Sequence, residues 1–112
     1  MGDIPKDIMR LLREQAAWAY AEELRLALLP LAGAFDEWKK GNVKSDKLCE
    51  LIHEFHEGPS RELFARYSPK MFEPAVGYAI ARGILNKNKI PSELLVHLKK
   101  WIDFYEEELK QS

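Results

Sequence analysis

Residues Ala16 to Phe35, AAWAYAEELRLALLPLAGAF, are apolar on almost every side of a helix, yet Glu22, Glu23 and Arg25 sit in their middle. A surface helix shows one apolar stripe, whereas a helix apolar all round has to be covered by neighbours or by a partner. The segment therefore calls for a fold that wraps it and that finds partners for charges held in a poor place for charge. Its longest uninterrupted apolar run, Leu26 to Phe35, is closed by Arg25 and Asp36. That run is far shorter than the ~20 residues needed to span a bilayer, so no membrane partner is expected.

The remaining segments read as helical too. Leu, Ala, Glu and Lys dominate them, period-2 alternation is lacking, and Gly and Pro fall between stretches of helical spacing. The expected fold is all-α, a compact bundle of about five to six helices with short connections, in one domain over residues 1–112. A chain of 112 residues is long enough to bury roughly 65% of its unfolded surface without staples.

The first helix is expected to start near Pro5, with Asp3 as cap, and to bury Ile8, Leu11, Leu12, Ala19 and Leu26. Pro30 should kink or break it, and Gly41 should end it as a left-handed cap. Ser45 or Asp46 caps a second helix whose Leu48, Leu51, Ile52 and Phe55 face the core, ending at Gly58-Pro59. A short helix from Arg61 to Tyr67 then buries Leu63 and Phe64, with Tyr67 a further candidate. Pro74 opens a helix running to about Leu85. Its rows of small residues, Ala75/Ala79/Gly83 and Gly77/Ala81, allow close helix approach within a bundle or across a dimer. The last helix begins at Pro91 or Ser92 and runs to about Leu109 on a stripe of Leu94, Leu98, Trp101, Ile102, Tyr105 and Leu109. His97 and Phe104 lie on its flank.

Charge and motifs remove several function classes. The 17 basic and 18 acidic side chains leave a formal charge of −1, which argues against a dedicated nucleic-acid binder. Lys39, Lys40, Lys44 and Lys47 cluster around one turn and read as solubilising charges. Glycine-rich phosphate loops, Cys-x-x-Cys and Gly-x-Ser-x-Gly are absent, so no cofactor is implied. A single cysteine, Cys49, and no secretory apolar region after Met1 suggest a soluble, cytoplasmic protein.

Three polar groupings could still carry chemistry. Glu50 and His53 have the Glu-x-x-His spacing of helical metal sites, followed by Glu54, His56 and Glu57. Such sites need two pairs, and here His53 points about 140° from the apolar face and Glu50 about 160–180°, which suits a solvated face. His56 falls at the edge of that face beside Cys49, where a half-buried histidine and a small buried thiol are expected. Glu22 and Glu23 flank the buried line of the first helix. Either they pair with a basic residue of another helix, such as Arg61, Arg66 or Arg82, or one of them is a pocket acid of raised pKa.

Two readings of function follow. The first is a small helical protein–protein interaction module whose partner is a second copy of itself. Trp18, Tyr20, Leu24, Leu28 and Phe104 then supply surplus apolar surface, and Gly77 and Ala79 a row for close approach. The competing reading is a helical metal- or small-molecule-binding domain, with or without catalysis, built on Glu22, Glu23 and His56, or on Glu50 and His53 where a metal is held.

Overall fold

A computed structural model of the chain describes residues 4–111. Within them the chain forms α1 (Lys6–Lys39), α2 (Ser45–Phe55), α3 (Arg61–Arg66), α4 (Phe72–Ala81) and α5 (Ser92–Gln111). A π-helical turn, His56–Ser60, joins α2 to α3 without a break, and 3-10 turns precede α4 and α5. The described residues thus make four helical rods and no strand: an all-α fold with fewer rods than the punctuation suggests.

The break allowed at Pro30 does not occur, and the expected boundary at Gly58-Pro59 is crossed. α1 runs through Pro30 for 34 residues. Proline removes the N–H that would bond the Leu26 carbonyl, and the helix continues through that lost bond on an exposed stretch where Leu26 is 45% exposed. Gly58-Pro59 likewise does not end its helix: both residues lie within the π turn, which runs straight into α3. The expected Asp3 cap lies outside the described residues.

Two glycines do end helices. Gly41 (φ +85°) and Gly83 (φ +78°) are left-handed. After α1, Gly41 N–H donates to Trp38 O and Asn42 N–H to Glu37 O. After α4, Gly83 N–H donates to Ile80 O and Ile84 N–H to Ala79 O. Both are Schellman closures, which spend the last free carbonyls of a helix. α4 therefore stops short of the expected Leu85, and Gly83 caps a row it was expected to extend.

The core is a body built where the first half of α1 meets α3, α4 and α5. Leu12, Ala19, Val76, Ala79, Leu94 and Leu98 are fully buried in it. α4 lies against α5 because position 77 has no side chain: a Cβ there would come within 2.6 Å of Trp101 Cβ. Gly77 and Ala79 thus pack inside one protomer, not across a partner surface, and the close approach read from their spacing is internal.

Several expected core positions turn outward. Leu26 leaves the buried stripe of α1, and Phe64 is 72% exposed while Leu63 and Tyr67 are buried. On α2 the buried line is Leu48–Leu51–Phe55, so Ile52 moves to its flank at 39% exposure. That rotation carries Cys49 and His56, each about 100° further round, into solvent instead of the half-buried edge expected of them.

Gly77→Ala should cost about 1–3 kcal/mol, since Trp101 must shift to admit the methyl. Gly33→Ala, where nothing lies within 4 Å, should stabilise the helix by about 0.5–1 kcal/mol. Urea unfolding of the two variants checks both signs.

Candidate functional site

α1 is longer than the body it supports. At about 1.5 Å per residue its 34 residues span roughly 50 Å, close to the 54 Å long axis of the molecule. Only Leu11, Leu12, Ala16 and Ala19, all in its first half, are buried. The second half projects as an arm, with α2 folded back beside it. Trp38 fastens the hairpin, its Nε1–H donating to Ser45 Oγ at 3.0 Å. Ser45 therefore holds the turn through its side chain, while Lys44 occupies the cap position before α2.

The all-round apolar helix is thus covered along one side only. Ala27, Leu31 and Ala34 face α2 across a shallow apolar cleft of about 260 Å³ completed by Leu51, Phe55 and Pro59. On the other side Leu28 (43%), Leu29 (53%) and Phe35 (38%) remain in solvent, and Trp18 (70%) continues the surface toward the body.

The residues expected to form a partner surface divide accordingly. Trp18 and Leu28 are exposed on α1, and Phe104 is exposed on α5, its ring edge-on to Tyr105 at 5.0 Å. Tyr20 and Leu24 are instead half-buried against the core, Tyr20 with its ring 5.7 Å from that of Tyr67.

The two central carboxylates part company. Glu22 lies on the surface and pairs with Arg25 at 2.7 Å, a bond that holds its pKa below the usual carboxylate value. Glu23 points at α3, its side chain 13% exposed, and accepts from Arg66 Nη1 at 2.9 and 3.2 Å. This is the cross-helix ion pair that its position calls for. Tyr67 Oη adds a 2.5 Å bond to the same carboxylate, a partner the sequence does not announce. Burial first, and that bond second, push the Tyr67 phenol well above its ordinary range. Arg66 also lies over the Tyr78 ring, 5.0 Å from its centroid, which brings α4 into the same network.

A second cross-helix bond joins Glu73 of α4 to His97 Nε2 of α5 at 2.6 Å. His97 was expected on the flank of α5, and Glu73 is a partner no spacing rule would have supplied. His56, by contrast, is exposed on the π turn, distant in sequence and bonding from the Glu23 network. Glu50 and His53 are exposed on α2, where Glu50 lies 3.5 Å from Lys47. Among the described residues no three His, Cys, Asp or Glu side chains gather as metal ligands would. Nor is any helix among them long and apolar enough to cross a membrane.

Compared with models of protein families, with curated proteins and with solved structures, the chain matches none. Its surfaces have to be read on their own chemistry.

Glu23→Ala should cost about 1–3 kcal/mol, because it strands a buried phenol and a half-buried guanidinium. Tyr67→Phe should cost about 1 kcal/mol near neutral pH. A raised phenol pKa makes the Tyr67 contribution complete below about pH 10 and smaller as pH climbs past it, where only the unfolded chain releases the proton. Urea unfolding of both proteins near neutral pH and at about pH 11 should show the gap between wild type and Tyr67→Phe closing.

Proposed function

We propose that this chain is a helical protein–protein interaction module that self-associates through the exposed side of α1. One observation carries the reading: the molecule has more surface than a monomer of its mass needs. It exposes 7944 Å², against the ~6,300 Å² typical of a 13.0 kDa monomer. Its radius of gyration, 17.3 Å, likewise exceeds the ~13 Å of a compact chain of this length. The surplus, on the order of 1,600 Å², comfortably exceeds the ~800 Å² that each partner buries in a standard interface. On the arm, Leu28, Leu29 and Phe35 are exposed together.

A protein partner suits this surface better than a nucleic acid does. Between Leu26 and Phe35 the arm carries no charge, and the molecule as a whole has a formal charge of −1. The solvent-exposed thiol of Cys49 fits a reducing compartment, so we place the protein in the cytoplasm.

Sedimentation equilibrium over a concentration series tests the proposal. The chain should show reversible dimer mass, and Leu28→Glu combined with Leu29→Glu should return it to monomer with its helical circular dichroism unchanged. A monomer at every concentration would overturn self-association.

A further inference from the structure

The self-association just described leaves open how two copies would meet, and α1 carries a pattern that bears on it. Trp18, Ala21, Arg25, Leu28, Ala32 and Phe35 follow one another at alternating spacings of three and four, the seam spacing of a coiled coil. All six are exposed. Their stripe lies roughly 180° round α1 from the line of Leu12, Ala16, Ala19 and Glu23 that faces the body, so it stays exposed, with only Trp38 beside Phe35 and the 84–90 segment beside Trp18. Glu14 and Lys39, both exposed, extend the same stripe by one layer at each end.

The stripe complements its own reversal. Turned end for end about the point between Leu26 and Ala27, it sets Trp18 against Phe35, Ala21 against Ala32, Arg25 against Leu28 and Glu14 against Lys39. Large meets large at the ends, and alanine meets alanine further in, where helix axes have to come within about 8–10 Å. The outermost layer pairs opposite charges. A parallel pairing would oppose Glu14 to Glu14, Arg25 to Arg25 and Lys39 to Lys39, three like-charge layers in one seam. Arg25 already bends back to Glu22 at 2.7 Å, which leaves its aliphatic stem to cover the facing leucine. Glu14 has only a 3.4 Å surface contact with Arg10 to give up.

We propose that a second copy of this chain docks on the outer seam of α1 in antiparallel orientation, with the two-fold axis crossing the helix between Leu26 and Ala27. The proposal rests on the self-association reading. It adds the register, the orientation and the layer partners.

Disulfide trapping in the full chain carrying Cys49→Ser tests it. Residues 21 and 32 face each other in the antiparallel seam, near enough for a disulfide, whereas each lies about 16 Å from its own copy. In a glutathione redox buffer, Ala21→Cys alone and Ala32→Cys alone should stay uncrosslinked. An equimolar mixture of the two should give a covalent heterodimer, and the double variant a covalent homodimer. Charge gives a second readout: Lys39→Glu should weaken dimerisation several-fold, and adding Glu14→Lys should restore it. Self-crosslinking of either single variant would overturn the antiparallel seam, as would an uncrosslinked mixture from a chain that sediments as a dimer; self-association survives both results. A monomeric parent chain would overturn both proposals.

Discussion

α1 is a 34-residue rod that outruns the body packed against it, and the rest of the molecule is arranged around that mismatch. Its first half provides one wall of the core, against which α3, α4 and α5 bury their apolar faces. Past Glu23 and Leu24, its second half has mainly α2 and the π turn for company, and two rods side by side cannot cover a helix that is apolar all round. The unbroken passage through Pro30 is what makes the arm. Had the helix broken there, the Leu31–Trp38 segment could have folded back over the body.

Where arm meets body, the fold places a cross-helix carboxylate–guanidinium network. Glu23 holds Arg66 and Tyr67 of the α3 region, and Arg66 in turn covers Tyr78 of α4. An ion pair this little exposed contributes modestly to net stability, but it is directional in a way that leucine contacts are not. It ties α3 to α1 at a fixed point. The Gly77–Trp101 contact does the equivalent for α4 and α5: the absence of a side chain fixes how near the two helices lie. Between these two contacts the body is held in one arrangement, and the outer seam of α1 is left free.

Much of this was legible in the chain. The helical class follows from spacing and composition, Gly41 from the conformational freedom a helix end needs, and the need to pair a central glutamate from the cost of burying charge. The close approach at Gly77 could be read as well, although not whether its partner was α5 or another copy. The errors share one cause. An inward place for Leu26, Ile52, His56, Cys49 and Phe64 follows only if each helix buries the centre of its apolar arc. On a short or two-sided helix that arc is broad, and a rotation of some tens of degrees exchanges its edge for its middle.

Sequence by itself determined the local terms: helix content, the left-handed cap at Gly41, the charge balance, and the fact that one segment carries more apolar surface than a single face can hide. Those depend on residues a few positions apart. Tertiary structure decided which side of that segment was hidden, that Glu23 and not Glu22 turned inward, and that the small-residue row of α4 was consumed within the protomer. These depend on the rotation and depth of one helix against another, which are set by packing among residues more than forty positions apart, such as Glu23 and Arg66. No local pattern encodes them, because the same stripe can be satisfied by a neighbour within the chain or by a second copy of it.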